Sequence, residues 1–377
     1  MTRFGAKPGP HPRSLGAGRA LSQKVRTWHS LNSTIVLNRF VLQPAIYVLA
    51  LAALLSACTS APPLPASQAP LAHEVPSTGL PTFARVLRRA QPASLVPAIG
   101  MPHAVPSGKF IYTAQLYGND AKVYRQKKTT ITFLETLTQG LSAPQGTVAT
   151  IDGWWYVANA GNSNVLIYRT THKGPQGPVD SLDDHGQFPG NVDVSPNRRL
   201  VAISNISTAG GGPGSVSVYL NRRAVYSRVL TYGNHRLQGI GIAVDVHGDC
   251  YWSFNDPSTG TGSIVEFVRC DGSGSIVVPT IAYAGGITFD QHGNLYYIDQ
   301  SSGVYKCSGT SNCKLFATGF GAPLNLNFDH RQKHLWVTDL TGYIDAVDPA
   351  NGQIESSTPT QGGSSDPPFG IAPAPGA

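Results

Sequence analysis

Short apolar runs, each followed by a turn, recur along the chain from about residue 109 onward. Five pairs of runs share one form: a first run that usually ends in Asp or Ser, a turn, and a second run rich in Tyr, Trp, Leu and Val. The first runs are 146–150, 191–195, 241–245, 286–290 and 325–329, and the second are 156–159, 200–205, 251–252, 296–299 and 335–339. Runs of strand length without helical periodicity predict an all-β domain.

The repeats have a regular period. A sixth start, 370–372, lies near the end of the chain, and the six starts at positions 146, 191, 241, 286, 325 and 370 are 45, 50, 45, 39 and 45 residues apart. This is the size of one four-stranded propeller blade. In four of the six repeats a proline stands two residues before the start: Pro144, Pro189, Pro323 and Pro368. Since proline cannot donate to a strand ladder, we expect it where the chain enters a blade.

Further apolar segments supply the outer strands of each repeat. Third strands are predicted at 165–168, 216–219, 264–268, 304–307 and 344–347, and fourth strands at 224–230, 275–282 and 314–317. Second runs end in a polar residue that can turn the chain: Asn159, Asn205, Asn255, Asp299 or Asp339.

The sixth repeat contains only a first strand before the chain ends, whereas three strand-like runs, 110–115, 122–125 and 130–135, precede the first complete repeat. Pairing of the last strand with this N-terminal trio would close a ring and remove exposed sheet edges. We therefore predict a six-bladed β-propeller over residues 109–377, with seven blades as the alternative.

The repeated unit, P-x-G-[I/V]-x-[V/F]-D…G-N-L-[Y/W]-V-x-D, resembles those of the NHL-repeat and gluconolactonase-like six-bladed propellers over about 265 residues. The resemblance implies a divalent metal held by acidic and amide side chains at the blade entrances. The residues just before the six starts are Gln145, Gly190, Ile240, Gly285, Leu324 and Phe369. None is acidic, and only Gln145 offers an oxygen to a hard cation, so we expect no metal and no other cofactor.

The formal charge of +7 is concentrated at the N-terminus. Residues 1–57 contain seven basic side chains and no acidic one, which leaves 21 basic and 21 acidic residues from position 58 onward. A neutral domain lacks the electrostatic footprint of a phosphate-backbone binder, so we expect no nucleic-acid partner.

A basic residue, Arg39, precedes an apolar run that ends in Leu55-Ser56-Ala57-Cys58. This order is typical of a secretory signal, and its end resembles a bacterial lipobox. The resemblance implies cleavage before Cys58, lipid attachment to Cys58, and outer-membrane rather than inner-membrane anchoring because Thr59 follows. The alternative is an uncleaved membrane helix, which Pro44 and the short run disfavour. Residues 1–57 are thus a leader and signal, and we expect translation to begin downstream of Met1.

Residues 58–108 are rich in Pro, Ala and Ser, a composition typical of a stiff tether. The tether would hold the propeller away from the membrane.

The recurring carboxylates Asp245, Asp290 and Asp329 are predicted to accept hydrogen bonds from turn amides. His247 and His292 lie in the same turns and are given the same structural interpretation.

Loops that lead into first strands lie at one end of a propeller and usually build its binding site. The candidate residues there are Asp183, Asp184, His185, His235, Arg236 and Asp366. Carboxylates beside histidine can bind metal or move protons, provided that His185 and His235 converge across neighbouring blades. Solvated loop charge is the simpler interpretation. No catalytic motif is present, and the catalytic residues are unknown.

Four cysteines follow Cys58. Cys307 and Cys313 have a spacing that suits a disulfide across a hairpin, and Cys250 and Cys270 are a possible second pair. An exported location would preserve both bonds, while buried free thiols are the alternative.

These patterns favour a non-catalytic, membrane-anchored module that binds a protein, glycan or small molecule, or that acts as an envelope scaffold. The alternative is a metal-dependent, gluconolactonase-like hydrolase that uses His185, His235 and nearby acids.

Overall fold

The structure, a computed structural model, describes residues 109–208, 211–220, 226–233 and 236–377. These residues form 24 β-strands in six four-stranded antiparallel sheets. Cys58, His235 and the tether lie outside the described residues. Within the described residues no helix is long and apolar enough to span a membrane.

Five blades are built from consecutive strands. Blade I contains β4 (Pro144–Ala149), β5 (Trp154–Asn159), β6 (Asn164–Thr171) and β7 (Gly174–Asp183). Blade II contains β8 (Gln187–Val194), β9 (Leu200–Thr208), β10 (Ser215–Leu220) and β11 (Tyr226–Leu230). Blade III contains β12 (Gln238–Val244), β13 (Cys250–Asp256), β14 (Thr261–Phe267) and β15 (Ser275–Ile281). Blade IV contains β16 (Ala284–Phe289), β17 (Leu295–Asp299), β18 (Gly303–Ser308) and β19 (Ser311–Ala317). Blade V contains β20 (Pro323–Phe328), β21 (Leu335–Asp339), β22 (Tyr343–Val347) and β23 (Ile354–Pro359).

Blade VI closes the ring. Its sheet order is β24 (Pro368–Pro373), β1 (Phe110–Gln115), β2 (Asp120–Lys127) and β3 (Thr130–Leu137). In the antiparallel register Ile111 pairs with Pro373 and Thr113 pairs with Ile371. The six-bladed prediction is confirmed, including the pairing of the N-terminal trio with the last strand.

Two fourth strands were not predicted. Strand β7 contains two glycines and two prolines, and β23 alternates half-buried and exposed positions with mostly small polar residues. Both lie at the outer edge of their blades, where burial no longer demands an apolar run.

Apolar side chains fill the six interfaces between neighbouring blades. The interface between blades I and II, for example, buries Trp154 and Tyr156 against Val192 and Ile203. Equivalent clusters lie between all other neighbouring pairs. Since the interfaces form a closed circle, every blade is covered on both faces and no single central core is needed.

The first strands approach one another closely around the axis. A Cβ on Gly370 would collide with the backbone of blade I, where Gly146 Cα would lie 2.9 Å away. A Cβ on Gly286 would lie 2.6 Å from Asn325 Oδ1 in the next blade. Glycine is therefore needed at these starts because a side chain would collide with the neighbouring blade.

The antiparallel order divides the loops between two ends of the propeller. The upper end carries the loops that lead into first strands and those between second and third strands, and the lower end carries the remaining turns. At the lower end Asp245 Oδ1 accepts hydrogen bonds from His247 N (2.9 Å) and Asp249 N (2.8 Å). Asp290 and Asp329 make the same pair of bonds in their own turns. The prediction that these recurring carboxylates serve turns is confirmed.

Both predicted cysteine pairs are at disulfide distance. Cys307 and Cys313 join β18 to β19 across their hairpin, with Cα atoms 3.8 Å apart. The Cα atoms of Cys250 and Cys270 are 4.8 Å apart. Cys270 lies in a short 3-10 turn (Val268–Cys270) just after β14.

Candidate functional site

A pocket opens at the upper end of the propeller, at the mouth of the central channel. It encloses about 590 Å³ including its opening to solvent. Two sets of side chains line it, one from the starts of first strands and one from the residues that follow second strands. Its lining residues are Gln145, Gly146, Gly190, Ile206, Ile240, Tyr283, Gln300, Leu324, Asn325, Leu340 and Phe369.

The lining is predominantly apolar. Ile206 and Phe369 are buried in a cluster at this end, and Ile240, Leu324 and Leu340 pack against it while remaining half-buried. These positions recur in separate blades, so the repeat itself brings one side chain from each blade to the rim. A concave apolar surface with few polar groups is typical of a ligand site.

One polar atom in the pocket has no partner. Gln145 is 4% exposed, and its Nε2 makes no hydrogen bond. The other glutamine, Gln300, donates from Nε2 to the Ala284 carbonyl at 3.1 Å. A buried amide N–H without an acceptor is destabilising, and a ligand oxygen at this point would satisfy it.

The pocket does not offer the donor set of a divalent metal site. Among the lining residues there is no carboxylate and no histidine. In the part of the chain that the structure describes, no three His, Cys, Asp or Glu side chains are grouped to hold a metal ion.

A charged triad lies beside the pocket in blade VI. Lys122 Nζ is 2.7 Å from Asp120 Oδ2 and 3.8 Å from Asp366 Oδ2, and Asp366 Oδ1 accepts a hydrogen bond from Gly118 N at 2.8 Å. The edge of the Tyr117 ring packs against Phe369 in the pocket wall, with ring centroids 5.8 Å apart. Tyr117 thus connects the loop beside the triad to the pocket wall.

The two carboxyls of the triad outnumber its single cation. Burial raises the pKa of Asp366 to about 6, the nearby Asp120 adds to the rise, and the Gly118 N–H and Lys122 oppose it. Burial also raises the pKa of Asp120, against the effect of Lys122. Burial, together with the charge of Asp366, raises the pKa of Tyr117 to about 12. All three pKa values are raised because the negatively charged forms are poorly hydrated at this site.

The sequence-predicted candidates fall into separate groups. Asp183 ends β7 and lies 3.6 Å from the His185 ring, measured from Oδ2 to Nδ1, in an exposed loop. Asp184 is fully buried beneath them, with Tyr219 Oη 3.4 Å from its Oδ1, and burial raises its pKa to about 7. Arg236 is exposed.

Asp366 belongs to blade VI, and it contacts Gly118 and Lys122 of the same blade. The structure thus brings Asp183, Asp184 and His185 together in one loop and places Asp366 in a different charged group. Convergence of His185 with His235 stays a prediction.

Sequence reasoning missed Asp120 and Lys122. They lie at alternate positions of a strand, and their partner Asp366 is more than two hundred residues away. No local signal could have joined them. The pocket residues just before the repeat starts, such as Phe369, were singled out from the sequence, but those at or just after the ends of second strands, such as Ile206 and Leu340, were not.

No family model and no curated protein matches the chain. Among solved structures 1388 chains match, which shows that the fold is widespread and leaves the function open. One is the crystal structure of a functionally unknown protein from Desulfotomaculum acetoxidans DSM 771. It is 11% identical, has a TM-score of 0.51, and the alignment covers 71% of this chain and 99% of that one. At this identity the likeness concerns the fold alone. The chain is a six-bladed β-propeller with an apolar pocket at the mouth of its channel.

Proposed function

We propose that this protein is a lipid-anchored binding module of a bacterial envelope and that its ligand occupies the upper-end pocket. The observation that carries the binding role is the pocket itself: an apolar wall with one buried, unpartnered donor, Gln145 Nε2. Apolar burial supplies affinity, and the single donor orients a ligand oxygen. The ligand class is therefore an apolar molecule that carries at least one hydrogen-bond acceptor.

The anchor is proposed from sequence, on the apolar run and on Leu55-Ser56-Ala57-Cys58. Two or more lipid chains on one cysteine anchor a protein firmly in a membrane, whereas a single chain binds only weakly. The geometry of the described residues is compatible with this role. The chain enters the propeller at Lys109, directly before β1, and the start of β1 lies at the lower end. A tether attached there leaves the pocket at the far end of the domain.

Kinship with the NHL-repeat and gluconolactonase-like propellers is likewise proposed from the repeated unit. The turn carboxylates and the polar ends of second strands are features of that unit. A hydrolase of that kind needs a metal-binding donor set, and no observation at the pocket favours one.

The binding role can be tested with a neutral apolar probe, 4-phenylbutan-1-ol, titrated calorimetrically into the full-length chain. We expect saturable binding that weakens about tenfold in Leu324→Lys, because the new ammonium group must lie in the apolar wall. Leu220→Lys is the matched control, since Leu220 is 40% exposed at the end of β10, away from the pocket. Equal affinity for the wild type and Leu324→Lys, or no saturable binding, would overturn the assignment.

The anchor is tested by cell fractionation. Cys58→Ser should move the protein from the membrane to the soluble fraction, while Ser56→Ala, which keeps the cysteine, should remain in the membrane. Retention of Cys58→Ser in the membrane would refute the lipid anchor.

A further inference from the structure

The charge of the triad in blade VI points to the chemical class of the ligand. Asp120 and Asp366 carry two negative charges when ionised, and among the described residues Lys122 is the one cation paired with them. Asp366 Oδ2 is 3.8 Å from Lys122 Nζ, which is beyond hydrogen-bonding distance. The two carboxylates therefore share one cation, which leaves an excess of one negative charge when both are ionised.

The two carboxylates converge beside Gly118. The Cβ that Gly118 lacks would lie 2.5 Å from Asp366 Oδ2 and 2.8 Å from Asp120 Oδ2. Both carboxylate oxygens thus face one point above an exposed glycine. Asp120 is 7% exposed, and its second oxygen, Oδ1, is buried without a hydrogen-bond partner. An unpartnered buried carboxylate oxygen, like the unpartnered Gln145 amide, marks a polar group that the protein alone does not satisfy.

The triad is joined to the pocket wall by two short segments of blade VI. Phe369 lines the pocket, and Asp366 stands three residues before it in the same segment. Tyr117 packs against Phe369 and is followed by Gly118, which donates to Asp366. A molecule whose apolar part fills the pocket can therefore extend along the Tyr117–Phe369 wall towards the carboxylates.

We propose that the natural ligand of the pocket is a small organic amine that also carries an acceptor for Gln145 Nε2, with its apolar body in the channel mouth and its ammonium group against Asp366 Oδ2. This inference rests on the proposed binding function. Ammonium groups form charge-assisted hydrogen bonds with carboxylates, which are about twice as strong as neutral ones. The neighbouring aromatic ring of Tyr117 adds a surface that suits a cation.

The test compares 4-phenylbutylamine with 4-phenylbutan-1-ol, two probes of equal length that differ in charge. In the full-length chain at pH 7.5 we expect the amine to bind about tenfold more tightly than the alcohol. The preference should shrink to about threefold or less at pH 5, because Asp366 then becomes protonated while the amine stays charged. The titratable groups that face Asp366 are Asp120, Lys122, Tyr117 and Tyr124.

Two variants locate the effect. Asp366→Asn keeps the shape and the acceptor for Gly118 N, and it should bind the two probes with equal affinity. Asp256→Asn is the control: it makes the same change of charge at the end of the second strand of blade III, on the same end of the propeller, and it should keep the tenfold preference. If Asp366→Asn fails to fold, Gly118→Ala serves instead, since its methyl group fills the point that both carboxylates face.

The outcomes separate the two proposals. Equal binding of amine and alcohol by the wild type would overturn the amine inference and leave the pocket assignment intact. Loss of the preference in Asp256→Asn would also overturn it, because the effect would then be long-range. If neither probe binds, the pocket assignment itself is wrong.

Discussion

The two ends of the propeller use the same residue types for different purposes. At the lower end Asp245, Asp290 and Asp329 each accept hydrogen bonds from backbone amides of their own turn. At the upper end Asp120 leaves one buried oxygen without a partner, and Asp366 shares a single lysine with it. The carboxylates that repeat with the blades are satisfied by backbone, whereas Asp120, which occurs in one blade, keeps an oxygen without a partner. The unsatisfied group in one blade is therefore the better marker of a ligand site.

The largest expected effect is at the lower end. Asp329→Ala removes the acceptor of Arg331 N and Lys333 N from Oδ1 and of His334 N from Oδ2. We expect the free energy of unfolding to fall by about 3 kcal/mol, because three part-buried backbone N–H groups lose a charged acceptor. Affinity for 4-phenylbutan-1-ol in the folded protein should be unchanged.

Denaturant titration measures this loss. Asp348→Ala is the milder comparison, since Asp348 caps an exposed turn through a single bond to Ala350 N, and it should cost about 1 kcal/mol or less. If Asp329→Ala weakened binding as strongly as Leu324→Lys does, the division of roles between the two ends would be wrong.

Effects of intermediate size are expected at two glycines. At the upper end Gly370 leaves no room for a side chain, and at the lower end Gly293 adopts a positive φ. A methyl group on Gly370 would meet the backbone of blade I, and we expect Gly370→Ala to cost about 2 kcal/mol of stability. Gly293 has open space around it but a φ of +76°, so Gly293→Ala should cost about 1 kcal/mol.

Asparagine distinguishes the two glycines because it tolerates the left-handed conformation. Gly293→Asn should retain most of the stability, and Gly370→Asn should be at least as damaging as Gly370→Ala. Similar losses for the two asparagine variants in thermal unfolding would contradict the distinction.

The smallest effect is the pH dependence of Asp366. Its pKa is raised to about 6 in the folded protein, so between about pH 4 and pH 6 the folded state binds more protons than the unfolded state. The stabilisation associated with the neutral carboxyl is full below pH 4 and is lost as the pH rises through 6. Asp366→Asn should flatten this dependence, measured as unfolding midpoints from pH 4 to pH 8. An unchanged pH profile would contradict the raised pKa.

Much of the fold could be predicted because the blades repeat. The starts at Gly146 and Gly286 have equivalent surroundings, since a Cβ on either would meet an asparagine in the first strand of the next blade, Asn191 or Asn325. Both glycines lie in largely buried first strands. The outer strands β7 and β23 could not be predicted, because an edge strand requires hydrogen bonds more than it requires apolar side chains. The pocket was half predictable: Leu324 and Phe369 follow from the repeat, whereas the triad depends on a single long-range contact between Lys122 and Asp366.

The pairing of the last strand with the first also sets an order of events during synthesis. Strand β1 is complete about 250 residues before β24 exists, so its inner edge stays unpaired while the other blades form. Closing so long a loop carries an entropic cost that grows slowly with loop length. The contacts between β1 and β24 that offset this cost form only when the chain is nearly complete. Blade VI is therefore the last to be completed. The wall formed by Tyr117 and Phe369 comes into being only then, so an unfinished chain has no complete ligand site.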